Sequence, residues 1–159
     1  MTTTRETAAM ALTRFDHAWA TLDKTVQGLS ERELTEIRDP TGWSAKDHLM
    51  HVATWEQALL AKLDGRARHQ ALGLDASTDG SEDWDALNAI IFSATRDRSL
   101  RDVLATLRST HVSTCAQIAA LADGGAAPTE ADAFLSDVPG YADHYEQHDG
   151  WIRALVVGR

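Results

Sequence analysis

The fold follows most directly from residues 44–65, which read SAKDHLMHVATWEQALLAKLDG. Ser44 with Asp47 three residues later has the spacing of a helix N-cap, slightly weaker than the usual Ser-x-x-Glu pair. Asp64 and Gly65 mark the end of the helix. Apolar residues return every three or four positions, and we expect its buried side to consist of Leu49, Val52, Trp55, Leu59 and Leu63. The stretch therefore predicts one amphipathic helix.

A second amphipathic pattern precedes this helix and covers about residues 4–29. Gly28 and Ser30 end it. Ser30 and Glu33 have capping-box spacing, which predicts a short further turn of helix. The following DPTG sequence, residues 39–42, breaks the chain, because proline disfavours helix at the preceding residue and glycine relaxes the turn.

The second half of the chain predicts further helices and one long loop. Residues 66–80 are polar and have no clear period, so we interpret them as a loop that could border a site. Helical patterns return over 81–96 and 99–122, and the pattern alone leaves open whether these are one kinked helix or two. Residues 123–128 predict a linker. The last helix is expected to begin after Pro139 and Gly140.

Composition agrees with one helical domain over residues 1–159. The chain has 159 residues, of which 43% are hydrophobic, enough for one core. The longest apolar runs are far shorter than the roughly 20 residues that cross a bilayer, and the N-terminus lacks the pattern of a secretion signal, so we expect a cytoplasmic protein without a membrane partner. At least four long helices and no strand pattern favour an all-α antiparallel four-helix bundle.

The charge distribution argues against a nucleic-acid partner. Acidic residues number 24 and basic residues 15, for a formal net charge of -9. No lysine and arginine stripe with interleaved aromatic residues is present, although such a stripe is typical of proteins that follow a phosphate backbone. We interpret the acidic surface as a source of solubility.

Histidines on two helices are the strongest chemical signal. His144 and His148 stand one turn apart on the apolar stripe of the last helix, so both rings should point inward with Cβ atoms about 5–6 Å apart. That spacing suits one metal ion, which needs a further ligand from another helix. His48 and His51 on the central helix are the two candidates. A helical wheel slightly prefers His48, whereas His51 lies one turn before Trp55.

A family resemblance decides between these two histidines. The run GWSAKDHLMHVATWE, residues 42–56, resembles the second-helix signature of the DinB-like superfamily of four-helix bundles. There, the histidine at the position of His51 joins an H-x-x-x-H pair on the last helix, which His144 and His148 match. The resemblance implies an up-down-down-up bundle and the metal ligands His51, His144 and His148. The WDALN sequence at 84–88, the 100–121 segment and the closing His144-Tyr145 look like the ClbS/DfsB branch.

The resemblance also implies an activity. Three imidazoles without an anionic ligand suit Zn²⁺ or Ni²⁺ and leave positions for water or substrate. Members of the superfamily include thiol-dependent transferases and isomerases, so a low-molecular-weight thiol is a second expected cofactor. The ClbS/DfsB branch is associated with resistance to a genotoxin through hydrolytic opening of a reactive cyclopropane. We therefore expect a metal-dependent hydrolase that acts on a small electrophilic metabolite in resistance or detoxification.

Several polar residues near the predicted ligands could transfer protons or orient the site. The catalytic candidates are Glu56, Tyr145 and Asp47, and Asp143 and Asp149 are further candidates to support the ligands.

Other residues carry weaker signals. His111 could line the pocket, whereas Cys115 is expected to be a small packing residue and His17 and His69 to lie at the surface. Trp43, Trp84 and Trp151 are expected in the core or in the pocket wall.

Two other functions compete with the enzyme hypothesis. The protein could sequester a toxic small molecule without converting it. Alternatively, the metal could be structural and clamp the second helix to the last in a homodimeric scaffold. The sequence leaves the substrate and the oligomeric state open.

Overall fold

The computed structural model describes residues 4–124 and 128–157. Its helices are α1 (Thr4–Gln27), α2 (Glu31–Thr35), α3 (Ala45–Leu63), α4 (Arg68–Leu72), α5 (Trp84–Thr95), α6 (Leu100–Ala122) and α7 (Pro128–Val156), with a 3₁₀ turn over Ala76–Thr78. All named elements in this part of the chain are helical, which confirms the all-α prediction.

Four long helices pack side by side around the main core. Helix α1 packs against α6 and α7, and α3 packs against the same two helices. The core is formed by inward stripes that include Phe15, Leu22, Leu49, Ile118 and Ile152, each fully buried. Burial of one such side chain stabilises the fold by about 1.5–3 kcal/mol. A smaller cluster of Ala58, Leu72 and Ile91 joins α3 to α4 and α5.

The predicted start of α3 is confirmed in detail. Ser44 is the N-cap, its hydroxyl oxygen accepts from the Asp47 backbone N–H, and the Asp47 carboxylate accepts from the Ser44 backbone in return. Gly42 has φ +90°, a left-handed conformation that L side chains rarely adopt. This turn carries Trp43 back towards α3, where its indole meets the rings of His48 and His51.

The middle of the chain differs from the prediction in one segment, and it shows whether 81–96 and 99–122 form one helix or two. Residues 66–80, predicted as loop, contain the short helix α4 and the 3₁₀ turn Ala76–Thr78. Leu72 of α4 is buried in the smaller cluster, and this contact holds α4 in place. A helix of five residues is too short to show a hydrophobic period in the sequence. Segments 81–96 and 99–122 are two helices, α5 and α6. Ser99 separates them as an N-cap that accepts from the Asp102 backbone N–H.

The prediction for the last helix was wrong at its start. Helix α7 begins at Pro128, 13 residues before Tyr141, where the predicted helix begins, and it continues through Pro139. Proline inside a helix costs roughly 3 kcal/mol because it lacks an N–H and crowds the preceding turn. Phe134, Leu135 and Val138 are almost fully buried, and their burial, at about 1.5–3 kcal/mol per side chain, together exceeds that cost. Of the linker predicted over 123–128, residues 125–127 lie outside the described part.

Among the described residues, no helix has both the length and the apolar content of a membrane span.

Candidate metal centre

Three histidine rings from α3 and α7 converge at the interface of these helices. One ring nitrogen from each of His51, His144 and His148 lies within 4.8 Å of the others. The Nε2 atoms of His51 and His144 are 3.0 Å apart, and the ring centroids of His144 and His148 are 4.6 Å apart. The one-turn spacing on α7 places two rings on one face of the helix, and the packing of α3 against α7 brings in the third.

Burial keeps these imidazoles neutral. Burial lowers the pKa of His51 to about 3, helped by the neighbouring His144 and His48, and burial lowers the pKa of His144 to about 4. Burial and the same neighbours lower the pKa of His148 further. A neutral imidazole keeps a lone pair on one nitrogen, which is the form that binds a metal.

The donor set fits one divalent cation. Tetrahedral Zn–N bonds of about 2.0–2.1 Å place ligand nitrogens about 3.3 Å apart, close to the separation of the His51 and His144 nitrogens. His51 Nδ1 is buried and has no hydrogen-bond partner among the described residues. The other ring nitrogen, Nε2, faces His144 Nε2 and is therefore the atom of His51 that could bind a cation in the cluster.

A chain of hydrogen bonds extends from His148 to the turn before α3. His148 Nδ1 lies 2.9 Å from His48 Nδ1, and His48 Nε2 lies 3.1 Å from the Asp39 carboxylate. Burial tends to raise the pKa of Asp39, but hydrogen bonds from Thr41 and Trp43 outweigh it and hold the pKa below its usual value. Asp39 is therefore an acceptor, and His48 Nε2–H must be the donor.

The direction of this chain fixes the tautomer of His148. Burial lowers the pKa of His48 despite the nearby Asp39, so His48 is neutral with its proton on Nε2. Its Nδ1 then accepts, and His148 Nδ1–H donates. The lone pair of His148 is consequently on Nε2, the nitrogen that remains for a metal.

Two open clefts meet at the histidine cluster. One has a volume of about 750 Å³ and the other about 780 Å³. Both are bordered by His51, Asn88, His144 and Gln147. The first is further lined by Trp55, Lys62, Trp84, Asp137, Gly140, Tyr141 and Asp143. The second is further lined by Asp39, Pro40, Thr41, Trp43, His48, Asp85, Ala89, His148, Trp151, Ala154 and Leu155.

Asn88 presents a defined donor to both clefts. Trp55 Nε1–H donates to the side chain of Asn88 at 3.0 Å. Because indole N–H only donates, the Asn88 atom that it meets is the carbonyl oxygen. The amide NH₂ of Asn88 is therefore the group available to an acceptor on a bound molecule.

The catalytic candidates Glu56 and Tyr145 lie together, away from the clefts. The Tyr145 and Thr114 hydroxyls both donate to the buried Glu56 carboxylate. Burial raises the pKa of Glu56 to about 7, although both hydroxyl contacts lower it. Neither Glu56 nor Tyr145 is among the residues that line the two clefts. Their catalytic role remains a prediction.

The three aspartates among the candidates have other partners. Asp47 closes the N-cap of α3 and also contacts Arg38 and Lys46. Asp143 borders the first cleft and pairs with Arg14 at 2.6 Å.

Asp149 is buried and accepts from Thr25 of α1 and from Arg153. Asp47 therefore caps a helix, Asp149 joins α7 to α1, and Asp143 forms a surface ion pair, and none of the three belongs to the three-histidine cluster.

Other histidines and Cys115 lie apart from the two clefts. His111 is stacked on Trp19 at a centroid distance of 4.1 Å, between α1 and α6, and not in a cleft wall. Cys115 lies beside it, and burial with the nearby Asp16 raises the pKa of the Cys115 thiol to about 12. His17 is exposed, and His69 pairs with Asp79.

Four tryptophans line the two clefts instead of filling the core. Trp43 and Trp151 line one cleft, and Trp55 and Trp84 line the other. Trp84 and Trp151 remain about half exposed, at 50% and 47%.

Sequence reasoning missed Asp39 as part of the site. The DPTG sequence at residues 39–42 by itself indicates only a chain break. Asp39 accepts from the Thr41 backbone N–H, as aspartate commonly does in such turns, and this leaves its second oxygen for His48. The turn signal was visible in the sequence, but the contact with His48 depends on the folded chain.

The family assignment agrees with this geometry. The model of the DinB superfamily matches residues 14–152 of the chain. The protein therefore belongs to the DinB superfamily, whose members are helical and typically bind a metal. Comparison with curated proteins and with solved structures gave no match.

Proposed function

We propose that the protein is a metal-dependent enzyme of the ClbS/DfsB type that hydrolyses a small electrophilic metabolite in resistance or detoxification. The observation that carries the proposal is the convergence of His51, His144 and His148 where two clefts meet. Perturbed, buried titratable groups that border a cleft are a common mark of an active site.

Zn²⁺ or Ni²⁺ is the cation that this donor set favours. When bound, such an ion supplies Lewis-acid polarisation of a substrate oxygen or makes a water molecule more acidic. The chain of His48 and Asp39 would hold His148 in the tautomer and orientation that binding needs.

The clefts favour a substrate with an apolar body and an oxygen acceptor. Trp55, Trp84 and Tyr141 would cover the apolar part and exclude water from it. The Asn88 NH₂ group would donate to an oxygen of the substrate and orient its electrophilic carbon towards the histidines. The clefts are large enough for a drug-sized molecule.

The proposal assigns no direct substrate contact to Glu56, Tyr145 or Asp47. Their predicted role in proton transfer would need a path from the buried Glu56 network to the clefts. Replacement of Glu56 by glutamine tests it: a catalytic role predicts a large loss of kcat, whereas a structural role changes stability alone.

The metal assignment is tested first by replacement of His144. Untagged His144→Ala, loaded with Zn²⁺ or Ni²⁺ and freed of excess metal, should bind one ion fewer per chain by elemental analysis. His17→Ala, at an exposed histidine of α1, is the matched control and should bind as many ions as the wild type. Full metal retention by His144→Ala would refute the assignment.

Catalysis is tested with two small electrophiles, an epoxide and an activated cyclopropane. The metal-loaded protein should consume many equivalents without added thiol and form the water-opened product, and His144→Ala should lose this activity. Consumption that requires a thiol would instead support an S-transferase or isomerase. Consumption that stops at one equivalent per chain would instead support sequestration.

We also propose that the four long helices run up-down-down-up. Contacts between α1 and α7 advance in the same direction along both helices, from Arg14–Asp143 to Thr25–Asp149. Contacts between α3 and α7 run in opposite directions, from His48–His148 to Lys62–Asp137, and so do those between α1 and α6, from Asp16–Cys115 to Asp23–Arg108. These directions support the proposed order.

A further inference from the structure

A second group of metal-ligating side chains lies between α1 and α6. It consists of Asp16 on α1 and of His111 and Cys115, one turn apart on α6. These residues do not border either cleft of the three-histidine cluster. The packing of α1 against α6 brings their donor atoms together across the helix interface.

The three donor atoms form a small triangle. Cys115 Sγ lies 3.3 Å from Asp16 Oδ1 and 3.4 Å from His111 Nε2, and Nε2 lies 3.5 Å from Oδ1. Zinc bonds of about 2.3 Å to sulfur and about 2.0–2.2 Å to nitrogen and oxygen place tetrahedral ligands about 3.4–3.6 Å apart. The triangle is thus close to one face of a tetrahedron, and little rearrangement is needed to hold an ion.

Without an ion, the Cys115 thiol donates a hydrogen bond to Asp16 Oδ1 and lies within hydrogen-bond distance of His111 Nε2. Hydrogen bonding explains the third edge less well. A separation of 3.5 Å between His111 Nε2 and the Asp16 carboxylate is long for an N–H···O bond, which has its optimum near 2.9–3.0 Å. The position of the ring comes from packing: His111 is stacked on Trp19 at 4.1 Å with an interplanar angle of 8°, and on Phe15 at 5.0 Å. His111 is only 6% exposed, and its Nδ1 has no partner among the described residues. Aromatic packing therefore aims Nε2 at the other two donors.

The donor types select the ion. A thiolate, a neutral imidazole and a carboxylate together carry two negative charges, which balance a divalent cation. Sulfur favours thiophilic ions such as Zn²⁺ over Mg²⁺ or Ca²⁺, which prefer oxygen. On binding, Cys115 releases its thiol proton to the solvent and a metal–sulfur bond forms. Asp16 is exposed, so solvent and metal ions can reach the site from its side.

We propose that Asp16, His111 and Cys115 form a second divalent-metal site that binds Zn²⁺ or Co²⁺ and links α1 to α6. The site is independent of the proposed enzyme centre, because it shares no ligand with His51, His144 and His148. Occupancy of the second site would stabilise the fold, since the ion binds the native arrangement and not the unfolded chain.

Cobalt titration of the untagged full-length chain tests this site by itself. A thiolate bound to Co²⁺ gives an intense near-ultraviolet charge-transfer band, and the three-histidine cluster has no sulfur to produce one. The wild type and His144→Ala should both develop this band with one equivalent at the second site. Absence of the band in the wild type at saturating Co²⁺ would overturn the proposal.

Two variants identify the ligands. Cys115→Ser should lose the band, and Zn²⁺ binding should fall by one ion per chain. Asp16→Asn changes an exposed side chain and should fold normally, yet it should weaken Co²⁺ binding by more than about tenfold, since even loss of a ligand's supporting contact costs about 10–100-fold. His17→Ala, the neighbouring exposed residue, should bind Co²⁺ like the wild type. An Asp16→Asn affinity equal to that of the wild type would refute this coordination.

Discussion

Replacement of Glu56 by glutamine should change how the stability of the protein depends on pH. The Glu56 carboxyl is buried and accepts from the Thr114 and Tyr145 hydroxyls. Burial raises the pKa of Glu56 from 4.5 to about 7, a difference of about 2.5 pH units, or about 3 kcal/mol at 1.36 kcal/mol per unit. Glutamine has the same shape and no charge.

The direction in which stability changes with pH follows from the raised pKa of Glu56. Below about pH 4.5 the carboxyl is protonated in both states, and its contribution to stability is fully present. Between about pH 4.5 and about 7, the unfolded chain releases the proton while the folded protein retains it. Stability from this group therefore falls as pH rises, and the loss is complete once pH exceeds the folded pKa of Glu56.

Urea denaturation followed by circular dichroism measures the effect, in the presence of a chelator because metal binding itself depends on pH. The free energy of unfolding of the wild type, minus that of Glu56→Gln, should fall by roughly 2–3 kcal/mol between about pH 5 and about pH 8. The subtraction removes the contributions of the histidines. Glu82→Gln, at an exposed glutamate, is the control and should show no such trend. A difference that is constant or rises with pH would refute the reasoning and show that the two hydroxyl contacts outweigh the effect of burial on Glu56.

Three further changes test other parts of the structure. Ser44→Ala removes the N-cap of α3 and should lower the free energy of unfolding by about 1 kcal/mol, measured by urea denaturation; an unchanged midpoint would contradict the capping role. His48→Gln should weaken Zn²⁺ binding about 10–100-fold in competition with a chromophoric chelator, because His148 loses its oriented partner; unaltered affinity would exclude that role. Asn88→Ala should raise KM for an electrophile that carries an acceptor oxygen and leave the metal content intact, and equal KM values would remove Asn88 from substrate binding.

The helices that begin with a clear cap were predictable, because capping is local. Ser30 with Glu33, and Ser44 with Asp47, each satisfy free N–H groups within four residues, so the sequence alone contains the whole interaction. Pro139 shows the limit of such reasoning. The local rule predicts a helix boundary there, but burial of Phe134 and Val138 against the rest of the bundle carries α7 through it.

The histidines of the candidate site were likewise predictable only in part. The one-turn spacing of His144 and His148 is a property of any helix and was visible in the sequence. The place of His51 came from a family resemblance, because periodicity slightly preferred His48. In the folded chain His51 lies in the three-donor cluster, and His48 lies behind His148 and contacts Asp39.

The sequence by itself determined that the chain is helical, where most helices begin, and that two histidines share one face of the last helix. Tertiary structure alone decided which rings meet across α3 and α7, that Asp39 joins them through His48, and that Asp16 reaches His111 and Cys115. The physical reason is range: caps and helical spacing act over three or four residues, whereas these contacts join positions up to about a hundred residues apart. They exist only once the bundle is packed.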